Sequence, residues 1–89
     1  MFVVRIVVNE EKTDFKVFVR RPDAEKRFND ASYHVRDGSL SSAAWFDVRT
    51  DDLREAVEAV KQGNRDKISL LGLEEPPKPL EFDLSELGL

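Results

Sequence analysis

Residues 51–62 read DDLREAVEAVKQ, and their pattern points to one kind of secondary structure. Four apolar residues share the i, i+3, i+4 and i+7 spacing that puts side chains on one face of a helix. They are Leu53, Ala56, Val57 and Val60. Thr50 or Asp51 can cap the start, and Gly63 can take the left-handed conformation that ends helices. The segment therefore predicts an amphipathic α-helix.

The chain around this helix is dominated by short apolar runs that are typical of β-strands. These runs are rich in β-branched and aromatic side chains, which suit a pleated sheet. They are residues 2–8, 15–20, 43–48 and 67–73. The six polar residues between the first two runs predict an antiparallel hairpin. Residues 32–36 also alternate like a strand, whereas residues 23–30 fit either a short helix or a loop.

Together these elements predict an α+β fold in two layers. We expect a mainly antiparallel sheet of about five strands, with the 51–62 helix packed on one face. With 89 residues the chain has room for a single domain, which we place at residues 1–73. Residues 74–79, EEPPKP, hold three of the four prolines and predict an extended linker. Residues 80–89, LEFDLSELGL, predict a tail in which acidic and apolar residues alternate.

Composition argues against several classes of site. The chain has no cysteine, which excludes disulfides, thiolate metal sites and cysteine nucleophiles. Its one histidine, His34, would need carboxylates for every other metal ligand, and we interpret it as a surface or sheet-face residue on a strand. No glycine-rich phosphate loop or nucleophilic serine motif is present. We therefore predict no enzyme activity, no cofactor and no metal.

The apolar runs are too short for membrane insertion. None approaches the roughly 20 residues that span a bilayer. The apolar start has its charge, Arg5, in the middle and no small-residue cleavage site after it, unlike a signal peptide. We expect a soluble, cytoplasmic protein.

Charge is unevenly distributed along the chain. The net charge of −4 comes from 14 basic and 18 acidic side chains. Residues 1–50 contain nine basic and eight acidic side chains, whereas residues 51–89 contain five and ten. The acidity therefore belongs to the C-terminal part, and a net negative chain attracts polyanions poorly over long distances.

Strand alternation sorts the side chains into an apolar set and a mixed set. The apolar set, which we assign to the helix-covered face, comprises Phe2, Val4, Ile6, Val8, Phe15, Val17, Val19, Ala44, Phe46 and Val48. The mixed set contains Val3, Val7, Phe18 and Trp45 interleaved with Arg5, Lys16 and Arg20. Because one helix covers one face only, the mixed face is expected to be open.

Three hypotheses compete for this mixed face. Aromatic and arginine side chains are enriched at the centres of protein interfaces, which favours a small non-catalytic protein-binding module. Such a module would be a regulator, an inhibitor or immunity-type protein, or an accessory subunit. Its partner would be another protein or a second copy of itself, or the chain's own tail would cover the face. The predicted partner-binding residues are Arg5, Lys16, Phe18, Arg20, Trp45, Leu80, Phe82, Leu84 and Leu87.

The alternatives use the same face differently. Exposed aromatic rings beside basic residues can stack single-stranded nucleic acid, so such binding is the main alternative. The acidic residues Glu10, Glu11 and Asp14 in the same hairpin oppose it. The remaining hypothesis is an ordinary surface on which arginine and lysine stems pack over the rings and nothing binds.

Overall fold

A computed structural model of the chain describes residues 1–76, and residues 77–89 lie outside the described part. The described part contains four strands and two helices. In chain order they are β1 (Phe2–Asn9), β2 (Lys12–Phe18), α1 (Arg21–Arg36), β3 (Ser42–Val48), α2 (Leu53–Gln62) and β4 (Ile68–Glu74). The predicted α+β class is confirmed.

The four strands form one antiparallel sheet in the order β2-β1-β3-β4. β1 lies inside the sheet, and Val3 and Val4 point to opposite faces with no exposed surface. A strand buried on both faces explains why residues 2–8 are almost continuously apolar. The predicted count of about five strands is too high by one among residues 1–76, because residues 32–36 belong to α1 rather than to a strand.

The hairpin between β1 and β2 is tighter than the sequence predicted. β2 begins at Lys12, which pairs with Asn9, so only Glu10 and Glu11 form the turn. The Glu11 backbone N–H donates to the Asn9 side-chain oxygen at 2.8 Å. The register shifts between Val7 and Asn9, as expected for a β-bulge.

α2 confirms the helix predicted at residues 51–62, with a start two residues later. Asp52 caps it by accepting hydrogen bonds from the backbone N–H groups of Arg54 at 2.8 Å and Glu55 at 3.3 Å. Gly63 ends it with a φ of +64°, a conformation that favours glycine. Its buried residues pack on one face of the sheet, hereafter the α2 side. The core cluster there comprises Val3, Ala44, Phe46, Val48, Ala56, Ala59 and Val60.

α1 covers the opposite face, the α1 side, so the prediction of an open second face is wrong. The helix runs for 16 residues with Pro22 in its first turn, where a missing N–H is harmless. Its inner residues occur at helical spacing and are small apart from one ring. They are Ala24, Phe28, Ala31 and Val35. Small side chains let the helix approach the sheet closely, which leaves room for the large rings of the strands.

The register also corrects which side chains share a face. Phe2 pairs with Phe18, and Val4 pairs with Trp45. Directly paired residues point to the same face, so the predicted apolar set of β1 lies with the predicted mixed sets of β2 and β3. The core on the α1 side comprises Val4, Ile6, Ala24, Ala31, Val35, Ala43 and Trp45, with Phe2, Phe18, Phe28, Leu40 and Leu71 packed against it.

Gly72 of β4 marks the tightest contact of this core. The register shifts beside it, so that Gly72 pairs with Trp45 while Leu70 pairs with Phe46. A Cβ on Gly72 would meet the Trp45 Nε1 at 2.7 Å and the Phe28 ring at 3.2 Å. Only a residue without a side chain fits there.

We predict that Gly72→Ala lowers the free energy of unfolding by about 1–3 kcal/mol, because the added methyl group overpacks the Trp45 contact. Urea denaturation followed by circular dichroism measures the loss. Ser69→Ala, at an exposed position of the same strand, is the control and should change stability by less than about 0.5 kcal/mol. Equal stability of the two variants would contradict the packing described.

Candidate interaction surface

Phe18 and Trp45, the aromatic residues of the predicted site, belong to the core on the α1 side. Trp45 is 6% exposed. Its ring stacks on Phe28 with 6.0 Å between centroids, and the Arg21 guanidinium carbon lies 5.4 Å from its centroid. Phe18 is half-buried against the same cluster. Trp45 therefore offers almost no surface to a partner.

The structure does not bring the predicted basic residues together. Arg5 lies on the α2 side, because it pairs with Ala44 and Phe15, and its guanidinium carbon is 5.3 Å from the Phe46 ring centroid. Lys16 is exposed on the edge strand β2, and Arg20 is the exposed residue before α1. The predicted tail residues Leu80, Phe82, Leu84 and Leu87 lie outside the described residues.

The ionisable groups of the described part form a few surface pairs. Arg27 and Asp30 are 3.1 Å apart, and the imidazole of His34 lies 3.4 Å from Asp37 at the end of α1. Hydrogen bonding from Ser39 lowers the pKa of Asp37, and His34 adds to this effect. His34 is thus a surface residue, as one of the two interpretations had it, but it lies on α1 and not on a strand. Within residues 1–76, no group of three or more His, Asp or Glu side chains could hold a metal ion.

Two open grooves flank the helices. The larger, about 600 Å³, runs between β2 and α2. It is lined by Val17, Leu53, Arg54, Val57 and Glu58. The other, about 450 Å³, lies beside the start of α1 and is lined by Phe18, Asp23, Lys26, Arg27 and Asp30. Both open directly to solvent and combine apolar walls with a few charges of both signs.

A third surface, which sequence reasoning missed, follows the outer strand β4. Leu70 and Leu73 are 55% and 47% exposed. They point to the α2 side, since Leu70 pairs with Phe46 and Leu73 with Ala44. α2 packs mainly on β1, β2 and β3, and at the start of β4 Ile68 joins the core beneath it, whereas Leu70 and Leu73 lie exposed farther along the strand. We call Leu70 and Leu73, together with Arg5 on the same face of the sheet, the β4 strip.

The β4 strip differs from the other exposed apolar residues of the described part. Val19, Tyr33 and Leu53 are exposed on separate elements, each a single side chain of the kind that any surface carries. Leu70 and Leu73 share one face of one strand. In the sequence this part of the strand is the run LLGL, which is typical of a buried strand. Its glycine lies beside the register shift, and as a result Leu71 faces the α1-side core whereas Leu73 faces the α2 side and solvent.

Comparison with known proteins gives no lead, since no family model, curated protein or solved structure matches the chain. Of the helices within residues 1–76, neither is long and apolar enough to cross a membrane.

Two residues on the same face of β2, Phe18 and Lys16, test whether the predicted aromatic site is core or surface. We predict that Phe18→Ala costs about 2–3 kcal/mol of folding free energy, because Phe18 packs against the cluster beneath α1. Lys16→Ala, on the same face of the same strand, should cost less than about 0.5 kcal/mol. Thermal and urea unfolding measure both. If Phe18→Ala were as harmless as Lys16→Ala, the ring would be a surface group.

Proposed function

We propose that this domain is a non-catalytic protein-binding module and that its contact surface is the β4 strip. The observation that carries the proposal is the exposure of two leucines of the edge strand β4 on the α2 side of the sheet, beyond the reach of α2. Burying two half-exposed leucines contributes on the order of 1 kcal/mol each, which a small interface can use. A regulator, an inhibitor or an accessory subunit is the kind of protein that fits.

The strip combines two sources of affinity. As an outer strand, β4 carries backbone N–H and C=O groups that an added strand can pair with. On the same face Arg5 lies over the ring of the buried Phe46, and arginine is enriched at interface centres. Backbone pairing would supply general affinity, and the leucines with Arg5 would select the partner's side chains.

A protein partner is favoured over single-stranded nucleic acid. The nucleic-acid alternative depended on Phe18 and Trp45 being free to stack on bases. Both pack on the α1 side, and Trp45 lies between Phe28 and the sheet. Arg5, one of the basic residues of the predicted mixed face, lies on the other side of the sheet.

Photo-crosslinking at two exposed positions tests the proposal. We place p-benzoylphenylalanine at position 70 in the β4 strip, or at position 33 on α1, where Tyr33 is 62% exposed. In lysate from the source cell, position 70 should give a discrete protein adduct and position 33 should not. Adding Leu73→Asp to the position-70 chain should reduce the adduct at least several-fold, because a carboxylate would enter the apolar contact.

Two other outcomes of the crosslinking experiment would contradict the proposal. An adduct that forms at position 33 and not at position 70 would contradict the assignment to β4. An adduct that contains nucleic acid, and disappears with rising salt, would replace the protein partner with the alternative.

A further inference from the structure

We propose that residues 80–84 of this same chain add to the outer edge of β4 and cover the β4 strip, so that a partner must displace them to bind. This inference rests on the proposed function, since it assigns to the same surface a segment of the chain that competes with the partner. The occupant is a defined segment of this chain, with the sequence LEFDL.

The route of the chain brings the segment to the strip. β4 ends at Glu74, and five residues, 75–79, separate it from Leu80. Glu74 pairs with Ala43 on the α1 side, so Leu80 reaches the α2 side by pairing with Leu73. Glu74 and these five residues then form a connection of six, a common length. Three of the five are prolines, which cannot donate a backbone hydrogen bond. Strand pairing is therefore interrupted after β4 and can resume at Leu80.

The side-chain pattern of the segment fits an added strand. Leu80, Phe82 and Leu84 alternate with Glu81 and Asp83, so an extended backbone puts the three apolar groups on one face. Five extended residues span about 16 Å, whereas Leu70 and Leu73 pair with residues two apart on β3 and are about 7 Å apart along the sheet. The segment is long enough to cover both leucines.

Charge sets the orientation of the added strand. With its apolar groups on the α2 side, Glu81 and Asp83 face the α1 side. There Arg36 lies at the same edge, largely exposed, with its Nε 3.8 Å from the Glu74 carboxylate. The opposite orientation would place the two acids against Leu70 and Leu73. Apolar and ionic contacts therefore favour the same arrangement.

Because the segment is tethered to β4 by a short linker, weak binding is enough to keep it on the β4 strip. A short linker gives an effective concentration in the millimolar range, so the segment covers the strip even if the free peptide would bind only weakly. A partner with higher affinity would displace it, and the segment would exclude weaker competitors.

Paramagnetic relaxation in the full-length chain tests the inference. Because the chain has no cysteine, Ser85→Cys gives one site for a nitroxide label next to the segment. In the labelled ¹⁵N chain, we expect the amide signals of residues 70–73 to be broadened severely and that of Tyr33 to be unaffected. Adding Phe82→Ser and Leu84→Ser to the labelled chain should restore the signals and increase photo-crosslinking of a partner at position 70 several-fold.

The origin of the broadening distinguishes the possible occupants. A mixture of labelled ¹⁴N chain and unlabelled ¹⁵N chain should show no broadening; broadening there would mean that a second copy supplies the segment, and would overturn the inference. No broadening in either sample would also overturn it. In that case a partner adduct at position 70 would still support the proposed function. Conversely, intramolecular broadening with no adduct, even in the double-serine variant, would support the covering segment and count against the proposed function.

Discussion

The packing of Trp45 beneath α1 is the contact on which the rest of the structure depends. Phe28 stacks on the indole at 6.0 Å, Phe2 lies at 6.3 Å, and Gly72 lets β4 approach from the side. This contact joins the helix to three of the four strands and closes the second face of the sheet. With both faces packed against helices, the large apolar side chains that the described sheet leaves exposed lie on β4, one of its two edge strands.

The sequence predicts an element most accurately where its separate sequence signals all favour the same structure. In α2, the cap, the apolar spacing and the terminal glycine all favour a helix, and the structure differs only in the first two residues. In α1 the signals conflict. Ala24 and Ala31 complete an inner stripe with Phe28 and Val35, but alanines contribute little to an apolar pattern. The helical spacing of positions 24, 28, 31 and 35 was the one signal in the sequence that could have predicted this helix.

The candidate site was harder to predict than the fold, because its position depends on register. Alternation assigns each residue to one of two faces of its own strand, but it does not say which faces of neighbouring strands coincide. The turn at Glu10 and Glu11 fixes how β2 pairs with β1, and the long-range pairing of Val4 with Trp45 fixes how β3 does; no local pattern reveals either register. A prediction made from alternation alone therefore placed Arg5 beside Trp45, whereas the sheet separates them.

Acrylamide quenching of Trp45 tests this arrangement most directly, since it is the only tryptophan of the chain. With both faces of the sheet covered, the native protein should emit at short wavelength and be quenched several-fold less than N-acetyltryptophanamide, and denaturation should abolish the difference. Native quenching close to that of the free indole would mean that α1 does not cover Trp45. The second face of the sheet would then be open, and the binding surface would have to be sought there rather than along β4.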